Sequence, residues 1–278
     1  MPEGWGWDDT LYGGSATYYS AGRLPYPPVI AEVLGRALEL DGTERLLDVG
    51  CGPGSLTLLL ASRVSVAIGV DADADMLAAA ALTARRAGVR NVAWRRLRAE
   101  ELPAGLGRFA LVTFAQSFHW FDRPQVATAV HSMLDPDDGA CVHVQATTHR
   151  GDTSDDLLDR PRPPHARIDA LVQTYLGPVR RAGQGSLPAG TPADEDDILR
   201  RAGFTGPTRI EPHTAHVVTR TADEIVASTF SLSSSAPHLF GTDLDRFEAD
   251  LRALLEDTAP DGLFSERTRD IALDIWRP

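Results

Sequence analysis

Between residues 46 and 145, short apolar runs alternate with longer segments of helical spacing. LLDV (46–49) is an apolar run ended by glycines, and SLTLLLAS follows with helical spacing and Ser55 near its start. VSVAIGV (64–70) is β-branched and continuous, as a strand buried on both faces is. DMLAAAALTARRAG (75–88) is rich in strong helix formers, carries Arg85 and Arg86 in its last turn and stops at Gly88. VAWRRL (92–97), FALVTF (109–114) and ACVHVQ (140–145) are further strand candidates, and RPQVATAVHSML (123–134) is a helix candidate closed by the turn DPDDG. This order predicts an α/β fold with parallel strands, right-handed crossovers and helices on both faces. Ligands of such sheets bind at the carboxyl ends of the strands, near the switch in strand order. Gly50, Asp71 and Gln116 stand at or near three of those ends.

From 146 to 195 the alternation is lost. THRGDTSDDLLDRPRPPH is polar and Pro-rich and reads as a loop, and RIDALVQTYLG reads as a helix followed by a Gly/Pro-rich loop. TADEIVASTFSLSS (221–234) and LDRFEADLRALLED read as two more helices. The first 15 residues combine Trp5, Trp7 and Tyr12 with glycines, a pattern equally suited to a lid over a small apolar substrate and to a passive strap.

The chain has 278 residues, 43% hydrophobic and 24% charged, an ordinary globular mix. No run is long enough to span a bilayer and no signal peptide is expected. Cys51 and Cys141 both fall in predicted core elements, so no disulfide framework is expected and a cytoplasmic location fits. The formal net charge of −12 repels a phosphate backbone, which makes nucleic acid a poor partner. RRAGVRNVAWRRLR (85–98) holds six arginines and reads as a solvated helix end plus a sheet edge.

Gly50-Cys51-Gly52-Pro53-Gly54-Ser55 departs from the dinucleotide pattern G-x-G-x-x-G; together with Asp48 it reads D-x-G-x-G-x-G. Asp71 follows Gly54 by 17 residues, at the end of the second strand, where a carboxylate can accept both hydroxyls of a ribose. The expected ligand carries a nucleoside and no pyrophosphate.

LLDVGCGPG, VAIGVDADADML, RAEELP and FALVTFAQSFHWFD together resemble the class I S-adenosylmethionine-dependent methyltransferases, of the methyltransferase type 11/25 kind. AQSFHWFD is most similar to the small-molecule branch that includes trans-aconitate methyltransferase-like proteins. The resemblance covers residues 16–145 well. It implies a Rossmann-like seven-stranded sheet, mostly parallel with the last strand antiparallel, plus a helical cap insertion. DILRRAGFTGPTRIE then resembles the last crossover helix and sixth strand, and DIALDIW the antiparallel seventh. The implied layout is an N-terminal lid and access helix (1–28) and a methyltransferase domain (29–278), with a cap insertion at about 148–192 and further cap helices at about 221–256.

The resemblance also implies roles. Gly50, Gly52 and Gly54 pass under the methionine portion of S-adenosylmethionine, Asp71 binds the ribose and Ala72 packs on the adenine. Ala99 and Glu100 occupy the adenine-edge loop, where Arg98 replaces the family's usual Asp. Gln116 and Ser117 line the sulfonium end. ATYYSAGRLPYPP (16–28) resembles the family's Y-x-x-x-R-P-x-Y-P segment one residue out of register; Tyr19 would face the sulfonium and Arg23 the cofactor carboxylate. Trp120 and Tyr18 are expected at the substrate. His119 is expected at the crevice, as a general base, as packing beside Trp120 or as an acceptor-orienting hydrogen bond.

His131 is expected on the surface, and His143, between valines, as a satisfied core histidine. His213 and His216 fall in a stretch that reads as strand, with no ligand set around them, so no metal site is expected. The implied function is O-, N- or C-methylation of a small molecule, in secondary metabolism. The alternatives are non-methylating chemistry on the same cofactor, such as cyclisation or elimination, and non-catalytic cofactor binding. Oligomeric state is not legible.

Overall fold

The computed structural model describes residues 10–154, 156–179 and 194–278, with the backbone of 181–182 and 185–186. Among these, seven strands form one sheet: β1 (Arg45–Val49), β2 (Val66–Asp71), β3 (Val92–Arg96), β4 (Leu111–Ala115), β5 (Ala140–Gln145), β6 (Thr205–Ile210) and, last in the chain, Ala272–Arg277. A separate antiparallel pair joins β7 (Val217–Thr221) to β8 (Leu263–Arg267), so the last sheet strand is β9. The sheet order is β3-β2-β1-β4-β5-β9-β6. The first five strands are parallel, and β9 inserts antiparallel between β5 and β6. The order reverses between β1 and β4, which places the crevice above their carboxyl ends.

Alternate residues of each central strand feed two cores. Leu47, Val112 and Cys141 point to one face, with Val126, Val130, Leu199 and Trp276. Leu46, Leu111, Ala140 and Val142 point to the other, with Ile30, Leu34, Leu56 and Leu60. Burial on both sides is why these strands read as continuous apolar runs. The helices are α1 (Ala16–Gly22), α2 (Val29–Ala37), α3 (Ser55–Leu60), α4 (Ala74–Arg86), α5 (Arg123–Met133), α6 (His165–Leu176), α7 (Glu195–Arg201), α8 (Ala222–Phe230) and α9 (Leu244–Thr258). Asp73 caps α4, its Oδ1 accepting from the amides of Asp75 and Met76 at 2.8 and 3.1 Å, which is worth about 1 kcal/mol.

A third core lies outside the sheet. Ile168 and Leu176 of α6, Ile225 and Phe230 of α8, Phe247 and Leu251 of α9 and Phe264 of β8 pack together, with Phe240 and Phe247 stacked at 4.1 Å. Tyr18 of α1 joins this cluster, 5.0 Å from the Phe230 ring. A buried ion pair ties it to the sheet domain. Arg220 Nη1 donates to Glu266 Oε1 at 2.8 Å, and Arg220 Nη2 donates to the Gly22 carbonyl at 2.7 Å. Glu266 also accepts from the Gly151 amide at 2.6 Å and lies 3.1 Å from His165 Nε2. Burial opposes the Glu266 charge, but the His165, Arg220 and Gly151 hydrogen bonds outweigh it and bring the carboxyl down to about 2.

Several expectations need correction. The HTAH stretch lies in the loop before β7, because Asp270 Oδ1 takes the Thr214 and Ala215 amides. His131 is half-buried, edge-on to Phe204 at 5.0 Å. His165 opens α6, and the second cap helix ends at Phe230 in a 3-10 turn. The strand β8, which pairs with β7, and the helix α2 carried no expectation at all. The six arginines of 85–98 are exposed along the end of α4 and the edge strand β3. Trp5 and Trp7 lie outside the described residues; Leu11 and Tyr12 are docked, Leu11 at 2% exposure.

Candidate cofactor and acceptor site

The three glycines of the β1 turn serve three purposes. All have positive φ, at 68°, 53° and 79°. A Cβ on Gly50 would lie 2.5 Å from Ser117 Cβ, because Ser117 Oγ reaches past it to the Val49 carbonyl at 2.6 Å. A Cβ on Gly54 would lie 2.5 Å from the Trp94 ring. Only Gly52 faces space, with nothing within 4 Å of that position. Close approach by a ligand therefore bears on Gly52. Gly54 lines neither hollow described below, and its Cβ position is closed by Trp94 and Ala80.

Two adjoining hollows meet over this turn and share Tyr19, Gly50, Gly52 and Ala115. The smaller, about 70 Å³, is walled by Asp71, Ala72, Ala99, Glu100, Gln116, Ser117 and Trp120, and is roofed by Leu11 and Tyr12. The larger, about 570 Å³, takes in Arg23, Tyr26, Asp48, Pro53 and Thr148. Met76, Leu97 and Phe121 also wall the smaller hollow, and sequence reasoning passed over them. Their only signal is position: each lies a few residues past a strand end that carries a polar candidate.

Asp71 Oδ2 accepts from the Gly52 amide at 2.8 Å, and Oδ1 from the Asp73 amide at 2.9 Å. Burial raises the carboxyl above its ordinary value, partly offset by these amides. Each oxygen keeps a lone pair for a further donor. Asp48, beneath the turn, is 1% exposed and accepts from Thr57 and Thr113 at 2.6 and 2.8 Å. Burial pushes it up to about 6, against the pull of both hydroxyls. Glu100 accepts from the Asp122 amide at 2.9 Å and pairs with Arg98 at 3.5 Å, so this carboxylate is held between its own loop and the start of α5.

Arg23 stacks on Tyr19 at 4.6 Å from the ring centroid. Its Nε and Nη2 donate to Ser231 at 2.8 and 2.9 Å, joining the access helix to the end of α8. Tyr18 faces the cap core and lines none of these hollows, since its neighbour Tyr19 already occupies the crevice side of α1. Trp120 meets Tyr12 edge-on at 6.4 Å.

His119 does not line the Asp71 hollow. The 3-10 turn Phe118–Trp120 carries it to a third hollow, with Gln116, Ser117, His143 and Glu195. His143 is in the core as expected, yet its Nε2 has no hydrogen-bond partner. Burial opposes the charge of Glu195, and the His143 hydrogen bond with nearby His143, His119 and Arg123 holds the carboxyl below its usual range. A fourth hollow of about 430 Å³ lies in the cap between α6 and α8, with His149, Arg150, Ile168, Val172, Ile225 and Leu232 in its wall. No group of three or more His, Cys, Asp or Glu suited to a metal ion occurs among the described residues. No helix among them is long and apolar enough to cross a membrane.

Comparison with known proteins adds a likeness to this geometry. The family model of a methyltransferase domain matches residues 46–137. An uncharacterized methyltransferase of Bacillus subtilis, YcgJ, is 28% identical over 174 residues, which cover 60% of this chain and 69% of that protein. A Geobacter sulfurreducens methyltransferase solved with S-adenosyl-L-homocysteine is 14% identical, covers 96% of this chain and 97% of its own, and superposes with a TM-score of 0.51. The cyclase SpnF shares the fold at a TM-score of 0.53 and 17% identity, over 97% of this chain and 94% of its own. At such identities the likeness is one of architecture and leaves the chemistry open. Residues 46–137 match the model of a methyltransferase domain, and the chain as a whole has the fold of the class I S-adenosylmethionine-dependent methyltransferases.

Proposed function

We propose that this protein transfers a methyl group from S-adenosylmethionine to a small-molecule acceptor. The observation that carries the reading is the meeting of two hollows over Gly52, with Asp71 in one and Arg23 in the other. These residues fit the cofactor. Gly52 opens onto space, and each Asp71 oxygen keeps an acceptor site after taking one amide. On this reading Asp71 holds the ribose, Ala72 and Ala99 wall the adenine, and Tyr19 and Arg23 meet the methionine end. When bound, the cofactor supplies an electrophilic methyl carbon on a sulfonium.

The protein's own contribution is alignment and exclusion of water. Leu11, Tyr12 and Trp120 close the smaller hollow from outside. Gln116 and Ser117 line both this hollow and that of His119, and on this reading His119 takes a proton from an acceptor atom on that side. The cap cavity of about 430 Å³ is in the size range of small-molecule sites, and a formal net charge of −12 favours such an acceptor over nucleic acid. The two free, buried cysteines suit a reducing cytoplasm. Titration calorimetry with S-adenosylhomocysteine, followed by assay of its formation from S-adenosylmethionine across a small-molecule panel, tests the proposal. Binding with turnover is expected. Absence of binding would overturn it, and binding with conversion of an acceptor but no methyl transfer would favour the non-methylating alternative.

A further inference from the structure

Residues 23–26 lie in the link from α1 to α2 and form one wall of the larger hollow over Gly52. The link is pinned on both sides. A Cβ on Gly22 would collide with the backbone of Ala227 and Ser228, so the end of α1 is pressed onto α8. The Leu24 amide donates to the Thr148 carbonyl at 2.7 Å. The Tyr26 ring packs against the core built from α2, α3 and the sheet. The fold thereby sets the position of its hydroxyl.

That hydroxyl is unspent. The Tyr26 side chain makes no hydrogen bond among the described residues. The buried side-chain polar atoms without a partner among them belong to His143, Arg150 and Arg162. The Tyr26 oxygen is therefore not enclosed, and it is reached from the hollow that the residue lines. Burial pushes the phenol well above its ordinary value, with Tyr19 and Asp48 adding to the rise and Arg23 opposing it. The hydroxyl stays protonated and offers one donor.

The same wall carries a charge with no counter-ion. Arg23 donates from Nε and Nη2 to Ser231, has Nη1 3.5 Å from the Thr148 hydroxyl and stacks on Tyr19. No acid lies within ion-pair distance of it among the described residues. Part of its fork of N–H donors remains. Two acids also line the hollow, and both are engaged: Asp48 by the Thr57 and Thr113 hydroxyls, Glu224 by the Thr221 amide. A guanidinium and a phenol with donors to spare select an anion with several acceptor sites, which a carboxylate has. A cation would face Arg23, and an uncharged ligand would leave its charge unanswered.

We propose that the Tyr26 hydroxyl donates to the carboxylate at the amino-acid end of S-adenosylmethionine, beside Arg23. The proposal rests on the methyltransferase reading and adds a residue which that reading leaves without a role. It makes the larger hollow a reader of the amino-acid end. The protein then distinguishes the whole cofactor from a nucleoside thioether that lacks that end.

Calorimetry on the full chain compares S-adenosylhomocysteine with 5′-methylthioadenosine, which keeps the nucleoside and the thioether and lacks the amino acid. Tyr26→Phe removes the donor and keeps the ring in its core. The variant is expected to bind S-adenosylhomocysteine about tenfold or more weakly, the effect of losing a hydrogen bond to a charged group, and methylthioadenosine as the wild type does. Unchanged affinity for S-adenosylhomocysteine, or an equal loss for both ligands, would overturn the proposal and leave the methyltransferase reading standing. Failure of the wild type to bind S-adenosylhomocysteine would overturn that reading and the proposal together. NMR of the tyrosine-labelled wild type decides if the variant does not fold. The Tyr26 ring signals are expected to move with S-adenosylhomocysteine and to stay in place with methylthioadenosine, and equal movement with both would overturn the proposal.

Discussion

The Gly52 amide donates to Asp71 Oδ2 at 2.8 Å, so the acid ending β2 holds the turn that leaves β1. One carboxylate thereby shapes the turn and, on the proposed function, also holds the ribose. Asp71→Ala removes both functions. S-adenosylhomocysteine binding is expected to weaken by about 1.5–3 kcal/mol, the range for hydrogen bonds to a charged group. Calorimetry showing unchanged affinity would count against the placement of the ribose there.

Gly52 and Gly54 are expected to separate binding from stability. Gly52→Ala places its methyl in open space, so only left-handed strain of about 1–2 kcal/mol is added while cofactor binding is lost. Gly54→Ala drives a methyl into Trp94 and adds about 1–3 kcal/mol of overpacking to the same strain. Denaturant midpoints read beside cofactor titrations distinguish them. Equal stability of the two variants would contradict the Trp94 contact.

Asp48 makes a pH-dependent contribution of definite sign. Its carboxyl is held at about 6 in the fold and stands near about 3.9 in an unfolded chain. Between those values the folded state binds more protons, so stability falls as pH rises from about 4 to about 6. The loss amounts to roughly 3 kcal/mol at 1.36 kcal/mol per unit. Asp48→Asn is expected to match the wild type near pH 4 and to exceed its stability at pH 7. Parallel stability profiles for the two, measured without cofactor, would show that Asp48 does not titrate in this window.

Glu266 has the opposite sign. Its folded value of about 2 lies below the ordinary value of about 4.3, so its stabilisation is complete above the latter and is lost as pH falls toward the former. Glu266→Gln leaves Arg220 buried without its partner and is expected to cost about 3–5 kcal/mol. Because Arg220 also holds the Gly22 carbonyl, hydrogen exchange in α1 should accelerate in the variant. Unchanged exchange in α1 would show that the ion pair does not restrain the access helix.

His119→Ala is expected to lower turnover by roughly 10²–10⁴, the usual contribution of a positioned base, with S-adenosylhomocysteine affinity preserved. The affinity should hold because His119 stands outside the Asp71 hollow. Near wild-type turnover from pH 6 to 9 would leave His119 as packing beside Trp120, 4.7 Å away.

The local pattern alone determines the parallel half of the fold. The runs at Leu46, Ala67, Leu111 and Ala140 are buried on both faces, so their hydrophobicity is continuous and visible without neighbours. The glycine turn and Asp71 are legible for the same reason: a strand end and a tight turn are properties of a few adjacent residues. Beyond residue 146 that legibility fades. The β7 and β8 segments pair across more than forty residues, and half-buried strands with polar outer faces carry a weak signal until the partner is known. The site divides along the same line. That Tyr19 faces the crevice while Tyr18 packs on Phe230 depends on the rotation of α1 against α8, which no spacing specifies. His143 reads as a satisfied core histidine; its burial follows from its strand, but its Nε2 has no partner. The carboxylate beside its Nδ1 comes from Glu195, more than fifty residues away, and only the packing of α7 over the sheet brings the two within 3.2 Å. Tertiary structure thus decided what sequence could not: which buried polar atoms meet a partner and which do not.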